Sequence, residues 1–174
     1  MRFVLTTLLF FASALAQAAD HFELPVAPGP LPVGFRVVQQ VDPARTFTGG
    51  QARPVQTLVW YPATRSGAAM RYRDYLALVG SELDFSRSQE QARAAADAFI
   101  KSEYLSESGP AQGKRALDGP VRARRDAAAA GGRFPVLIYA PSISAPASEN
   151  PDLCEYLASH GYIVIASPSV GPRA

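Results

Sequence analysis

Apolar and polar positions divide the chain into a β-rich first part, a mixed middle and an end that reads as strand, helix and strand. Phe35 to Val41 has a partly alternating pattern, and Val55 to Tyr61 is rich in β-formers, with Trp60 and Tyr61 at its end. Gly49 and Gly50 lie between them, so the two stretches predict an antiparallel hairpin. Phe134 to Tyr139 and Tyr162 to Ser167 are short, β-branched and apolar on both faces, which suits strands of a parallel sheet covered on two sides. One helix is predicted between them, from Asn150 to His160. Asn150 suits the N-cap, Pro151 the first helical position, Asp152 the positive end of the helix, and Gly161 a left-handed residue just past its end. The fold class is therefore α/β, with an antiparallel hairpin followed by a parallel βαβ unit.

The connection between hairpin and βαβ unit, about 63–133, is long for an inter-strand segment and implies structure of its own or a functional lid. Ser88 with Gln91 fits a capping box, and Ala92, Ala96, Phe99 and Ile100 follow at helical spacing. Tyr72, Tyr75 and Leu76 read as buried anchors of this insertion, with the lining of an acyl pocket as the alternative. Lys114, Arg115, Arg122, Arg124 and Arg125 form a basic stretch that reads as a solvated loop, and Ala127 to Gly132 reads as a flexible linker. No aromatic residues interleave with these cations, so nucleic-acid binding is not indicated.

The run FPVLIYAP, then a small-residue loop, then LASHGYIVIASP resembles the third strand, first helix and fourth strand of secreted α/β-hydrolases. The platelet-activating factor acetylhydrolase-like and dienelactone hydrolase-like esterases are the nearest in pattern, and LVWYPA is similar to their second strand. The resemblance implies an N-terminal portion of such a sheet, in the order 1-2-4-3-5, and hydrolysis of carboxylic esters, lactones or short-acyl lipids in full-length relatives. It also implies that the loop after Tyr139 supplies a backbone donor to an oxyanion hole, and the corresponding position is the N–H of Ile143. Pro141 and Ser142 stand where many relatives carry His-Gly.

The nucleophile of that family sits on a Gly-x-Ser-x-Gly elbow, and no such motif occurs in these 174 residues. The catalytic Ser, Asp and His are thus expected to be missing, the sheet incomplete, and the chain inactive alone. A non-catalytic secreted binding module derived from the same fold is the alternative, and a small esterase with an unrecognised site is a third. Against the module stands the strand Phe134 to Tyr139, which without a following strand becomes an apolar edge prone to aggregation.

The remaining candidates have ordinary explanations. Ser142 and Ser144 suit loop hydrogen bonding rather than nucleophilic attack. His21 falls near the start, and His160 suits the negative end of the helix dipole. Cys154, the one cysteine, lies beside Leu153 and Leu157 and reads as a small buried hydrophobe; His160 lies about 120° away around the helix, out of position as its base. Glu149 and Asp152 flank a helix start, where carboxylates are favoured without a metal. Neither metal-ligand spacing nor a glycine-rich phosphate loop points to a cofactor.

The first residues carry Arg2, an apolar run from Phe3 to Leu15 and small residues ending at Ala18, the pattern of a signal peptide over 1–18. The run is shorter than the ~20 apolar residues of a membrane span, although a retained anchor is the competing reading. Cleavage would leave an extended lead-in over 19–32, a partial hydrolase domain over 33–174, no stable span, and a secreted or periplasmic location. With 17 basic and 15 acidic side chains the formal charge is +2, which selects neither nucleic acid nor anionic membrane as partner. A small-molecule ester is the partner the resemblance implies.

Overall fold

The computed structural model describes residues 26–105 and 110–169. The expected signal peptide, the first part of the lead-in and His21 lie outside the described residues. A mixed six-stranded sheet organises the rest, in the order β3-β4-β1-β2-β6-β5. The strands are β1 (Val33–Thr46), β2 (Ala52–Pro62), β3 (Ala68–Arg71), β4 (Pro120–Arg125), β5 (Val136–Tyr139) and β6 (Ile163–Ala166).

β1 and β2 form the expected hairpin, in register from Val33 opposite Pro62 to Asp42 opposite Arg53. Its turn needs both glycines, which have φ of 77° and 75°. At the other end, β5 runs parallel to β6, with Val136 opposite Ile163 and Tyr139 opposite Ala166. Helix α4 (Pro151–Ser159) connects them and packs on one face of the sheet. Gly161 follows at φ 94°, the left-handed position expected of it. Asn150 occupies the N-cap, but its side chain makes no capping bond and instead donates to the Tyr139 hydroxyl at 2.6 Å.

Within the insertion, α1 (Tyr72–Leu76), α2 (Gln89–Phe99) and α3 (Pro110–Asp118) are helical. Ser88 and Gln91 close the capping box of α2 with reciprocal bonds of 3.2 and 2.9 Å. Tyr72, Tyr75 and Leu76 are buried, in keeping with the anchor reading.

The basic stretch is not the loop expected. Lys114 and Arg115 lie on α3, while Arg122, Arg124 and Arg125 lie on β4, which pairs parallel with β1 at Gly34–Arg124 and Phe35–Arg125. Along β4 the fully buried Ala123 alternates with Arg122 and Arg124, a strand period hidden by the charge. Arg124 is occupied by the carbonyls of Ser66 and Gly67, and the Arg125 guanidinium lies over the Phe35 ring at 5.2 Å.

Ala127 to Gly132 is likewise bound into the fold rather than a free linker. Ala127 is buried, Thr64 donates to the Ala128 carbonyl, and Ala130 donates to that of Pro62. The end of the lead-in also docks: the N–H groups of Gly29 and Leu31 reach the Ser159 hydroxyl and carbonyl at 2.8 and 3.1 Å. The core therefore sits between the sheet and α4, where Phe35, Leu58, Trp60, Tyr75, Cys154, Ala158 and Val164 meet. On the opposite face, Val38, Val59, Tyr61, Phe134 and Ile163 line an open groove of about 1000 Å³.

Candidate oxyanion loop

The segment between β5 and α4 begins where a parallel strand delivers its C-terminal end, the edge of an open α/β sheet at which ligand sites form. Ser142 to Ala145 makes a β-turn closed by Ala145 N–H donating to the Ser142 carbonyl at 3.0 Å. Ser144 takes φ 65° at the third position, where glycine is usual. The turn is tied down at its far side. Ser169 N–H donates to the Ala145 carbonyl, and the buried Ala147 and Ser148 reach the Glu82 carboxylate and the Tyr75 carbonyl.

Glu149 folds back into the loop. Its Oε2 accepts from Ser142 N–H at 2.9 Å and from the Tyr139 hydroxyl at 2.8 Å. Burial pushes this carboxyl up, but the bonds from Ser142 and Tyr139 outweigh it and hold the group below the ordinary glutamate range. Ile143 rides on the outside of the turn, 82% exposed. Among the described residues nothing accepts from its N–H.

Ser142 and Ser144 are exposed, and neither is bonded to a histidine among the described residues. His160 lies at the opposite end of α4, where its Nδ1 meets the Tyr156 carbonyl at 2.8 Å and its ring packs on Tyr156. Cys154 is buried, and that burial, with Asp152 and Glu155 nearby, pushes its thiol up to about 12. At neutral pH it is a packed thiol and no nucleophile.

Behind the loop runs a polar chain that the sequence reading missed. Trp60 Nε1 donates to the Tyr75 hydroxyl at 2.9 Å, Tyr75 donates to Glu155 Oε1 at 2.6 Å, and Arg122 N–H donates to Glu155 Oε2 at 2.9 Å. Burial raises both the Glu155 carboxyl and the Tyr75 hydroxyl above their usual ranges. The one available sign was Glu155 lying on the same helix face as the buried Cys154 and Ala158.

The strand order β1-β2-β6-β5, with α4 crossing between β5 and β6, matches the 1-2-4-3 part of the order that the sequence resemblance implies, and β4 and β3 extend the sheet beyond β1. A solved ferulic acid esterase from Streptomyces cinnamoneus superposes on the chain with a TM-score of 0.54 at 20% identity, over 85% of this chain and 36% of that one. The chain carries part of an α/β-hydrolase fold. It spans about a third of the esterase's length, and at this identity the likeness concerns the fold. No protein-family model and no curated protein matches the sequence.

Proposed function

We propose that this chain supplies the N-terminal sheet and the oxyanion-side loop of an exported carboxylic ester hydrolase, similar to the platelet-activating factor acetylhydrolase-like and dienelactone hydrolase-like enzymes, and that it does not turn over esters by itself. The Ile143 N–H, which has no acceptor among the described residues, on a loop braced from three sides at the end of β5, is the observation that carries this reading. A main-chain donor held in place before substrate arrives stabilises a developing oxyanion without the cost of reorienting solvent. The ferulic acid esterase likeness supports the hydrolase part of the reading.

Stabilising an oxyanion does nothing until a nucleophile has attacked. The carboxylate bonded to Ser142 among the described residues is Glu149, held below the usual glutamate range and hence a weak base for a hydroxyl. The unmodified chain should therefore hydrolyse p-nitrophenyl acetate or methyl ferulate no faster than a Ser142→Ala, Ser144→Ala double variant. A fusion that adds, after Pro168, a hydrolase segment with Gly-x-Ser-x-Gly, Asp and His should gain activity and lose it when the elbow serine becomes alanine. Turnover by the unfused chain that vanishes in the double variant would overturn the reading and favour a small self-sufficient esterase.

Export rests on the apolar run after Arg2 and the small residues at Ala16 and Ala18. N-terminal sequencing of protein recovered from the periplasm or medium should begin close to Ala19. An intact Met1 in a membrane fraction would contradict cleavage.

A further inference from the structure

We propose that Glu149 is a positioning residue that aims the Ile143 N–H, gripping the preceding N–H, that of Ser142, from inside the loop. The inference rests on Ile143 being the oxyanion donor. Its physical basis is the planarity of the peptide bond. The Ser142 carbonyl points into the turn, where it accepts from Ala145 at 3.0 Å. In a planar trans peptide the N–H lies opposite the C=O, so the Ile143 N–H is aimed out of the turn. What remains to be fixed is rotation within Ser142 itself, between its own N–H and its carbonyl. The Glu149 carboxylate holds the first of these at 2.9 Å and Ala145 holds the second, so rotation about Ser142 would break one bond or the other.

Glu149 can serve as a fixed point because the sheet pins it. Tyr139, the last residue of β5, donates its hydroxyl to Glu149 Oε2 at 2.8 Å, and that hydroxyl accepts from Asn150 Nδ2 at 2.6 Å. A chain of contacts thus runs from β5 through Tyr139 and Glu149 to Ser142, and by covalent geometry to the donor. This also explains how the loop keeps its shape with Pro141 and Ser142 in place of a glycine-bearing sequence, and with a serine at the left-handed position 144. The side chain that releases Asn150 from capping and the carboxylate that precedes α4 belong to one device.

Amide NMR on the labelled chain tests this directly. In the unmodified protein the Ser142 amide proton should shift with pH as Glu149 titrates, with a midpoint below the ordinary glutamate value, while Ser142 and Ala145 are protected from exchange and Ile143 is not. Glu149→Ala should abolish the titration and speed exchange at both Ser142 and Ala145 by about tenfold or more. Glu149→Gln, whose amide oxygen still accepts, should restore protection without the titration. In the fusion described above, Glu149→Ala should lower kcat at least tenfold with KM little changed, and Glu149→Gln should recover most of it. Unaltered Ser142 and Ala145 exchange in Glu149→Ala would overturn the proposal, as would a Ser142 amide that ignores pH. A fusion without any esterase activity would instead count against the hydrolase reading, and the amide measurements would still decide what Glu149 does.

Discussion

Trp60→Ala should cost about 4 kcal/mol of stability, the usual loss when a fully buried large aromatic side chain is cut back. Against a total of about 5–15 kcal/mol for a typical domain, that leaves a protein largely unfolded at modest denaturant. Trp60 is completely buried between Phe35 and Tyr75, with ring centroids 5.2 and 5.8 Å away, and Phe35 and Tyr75 meet edge-on at 4.9 Å. The substitution removes this packing and also the donor to the Tyr75 hydroxyl, which feeds the buried Glu155. Trp60→Phe separates the two effects. It keeps most of the ring volume and drops the N–H, so its cost should be nearer the ~1 kcal/mol of one hydrogen bond. Urea unfolding followed by circular dichroism is the measurement, because the variants lack the only tryptophan. Equal losses for the two would mean that the hydrogen bond, not the aromatic packing, holds this part of the core.

Both ends of the fold were legible because their signals are local. The glycine pair between two β-rich runs announces a hairpin, and Pro151 and Gly161 bracket a helix within a few residues of the strands it joins. The middle, apart from α2 with its local capping box, was not legible for the opposite reason. β3 is four residues long, and β4 is a run of arginines whose partner, β1, lies far back in the chain, so only tertiary pairing such as Gly34 with Arg124 turns it into a strand. Propensity has little to say about a segment whose stability comes from a distant neighbour. The alanines after β4 mislead similarly: their composition suggests freedom, but Ala127 is buried by Tyr61 and Ala63, and its carbonyl accepts from the Tyr61 hydroxyl at 2.7 Å.

The loop was legible as a place and not as a mechanism. Its position after an apolar strand pointed to Ile143, whereas the bond between Glu149 and Ser142 joins residues whose relation depends on a turn that no local pattern specifies. Asn150 shows the competition plainly. Its residue type favours an N-cap, yet Tyr139 offers its side chain a better-placed acceptor, and the helix starts on Pro151 without that cap. Glu82 carried no sign at all. It follows a short helical turn in a polar-looking stretch, and only the packing of the β5–α4 loop against it makes it a buried acid.

That burial predicts a pH dependence of stability. Glu82 is 6% exposed, receives a bond from Ala147 N–H at 3.3 Å, and is pushed by burial up to about 7 from an ordinary value of 4.5, the Ala147 bond offsetting only part of the effect. Below pH 4.5 the group is protonated whether the chain is folded or not, and its full contribution to stability is present. As pH rises toward 7, the unfolded chain releases the proton while the folded one still holds it, so stability is lost across that window. The loss approaches about 3 kcal/mol at the top of the window, at 1.36 kcal/mol per pH unit. Other carboxyls pull in both directions, with Glu155 and Asp152 raised and Glu149 and Asp84 lowered, so the raw pH profile does not isolate Glu82. Glu82→Gln does. The amide cannot ionise but can still accept from Ala147, so unfolding free energies of the variant minus those of the unmodified chain should rise by about 2 to 3 kcal/mol between pH 5 and pH 8. A difference that stays flat across that range would show that Glu82 ionises as readily in the folded chain as in the unfolded one, and that the loop does not seal it from water.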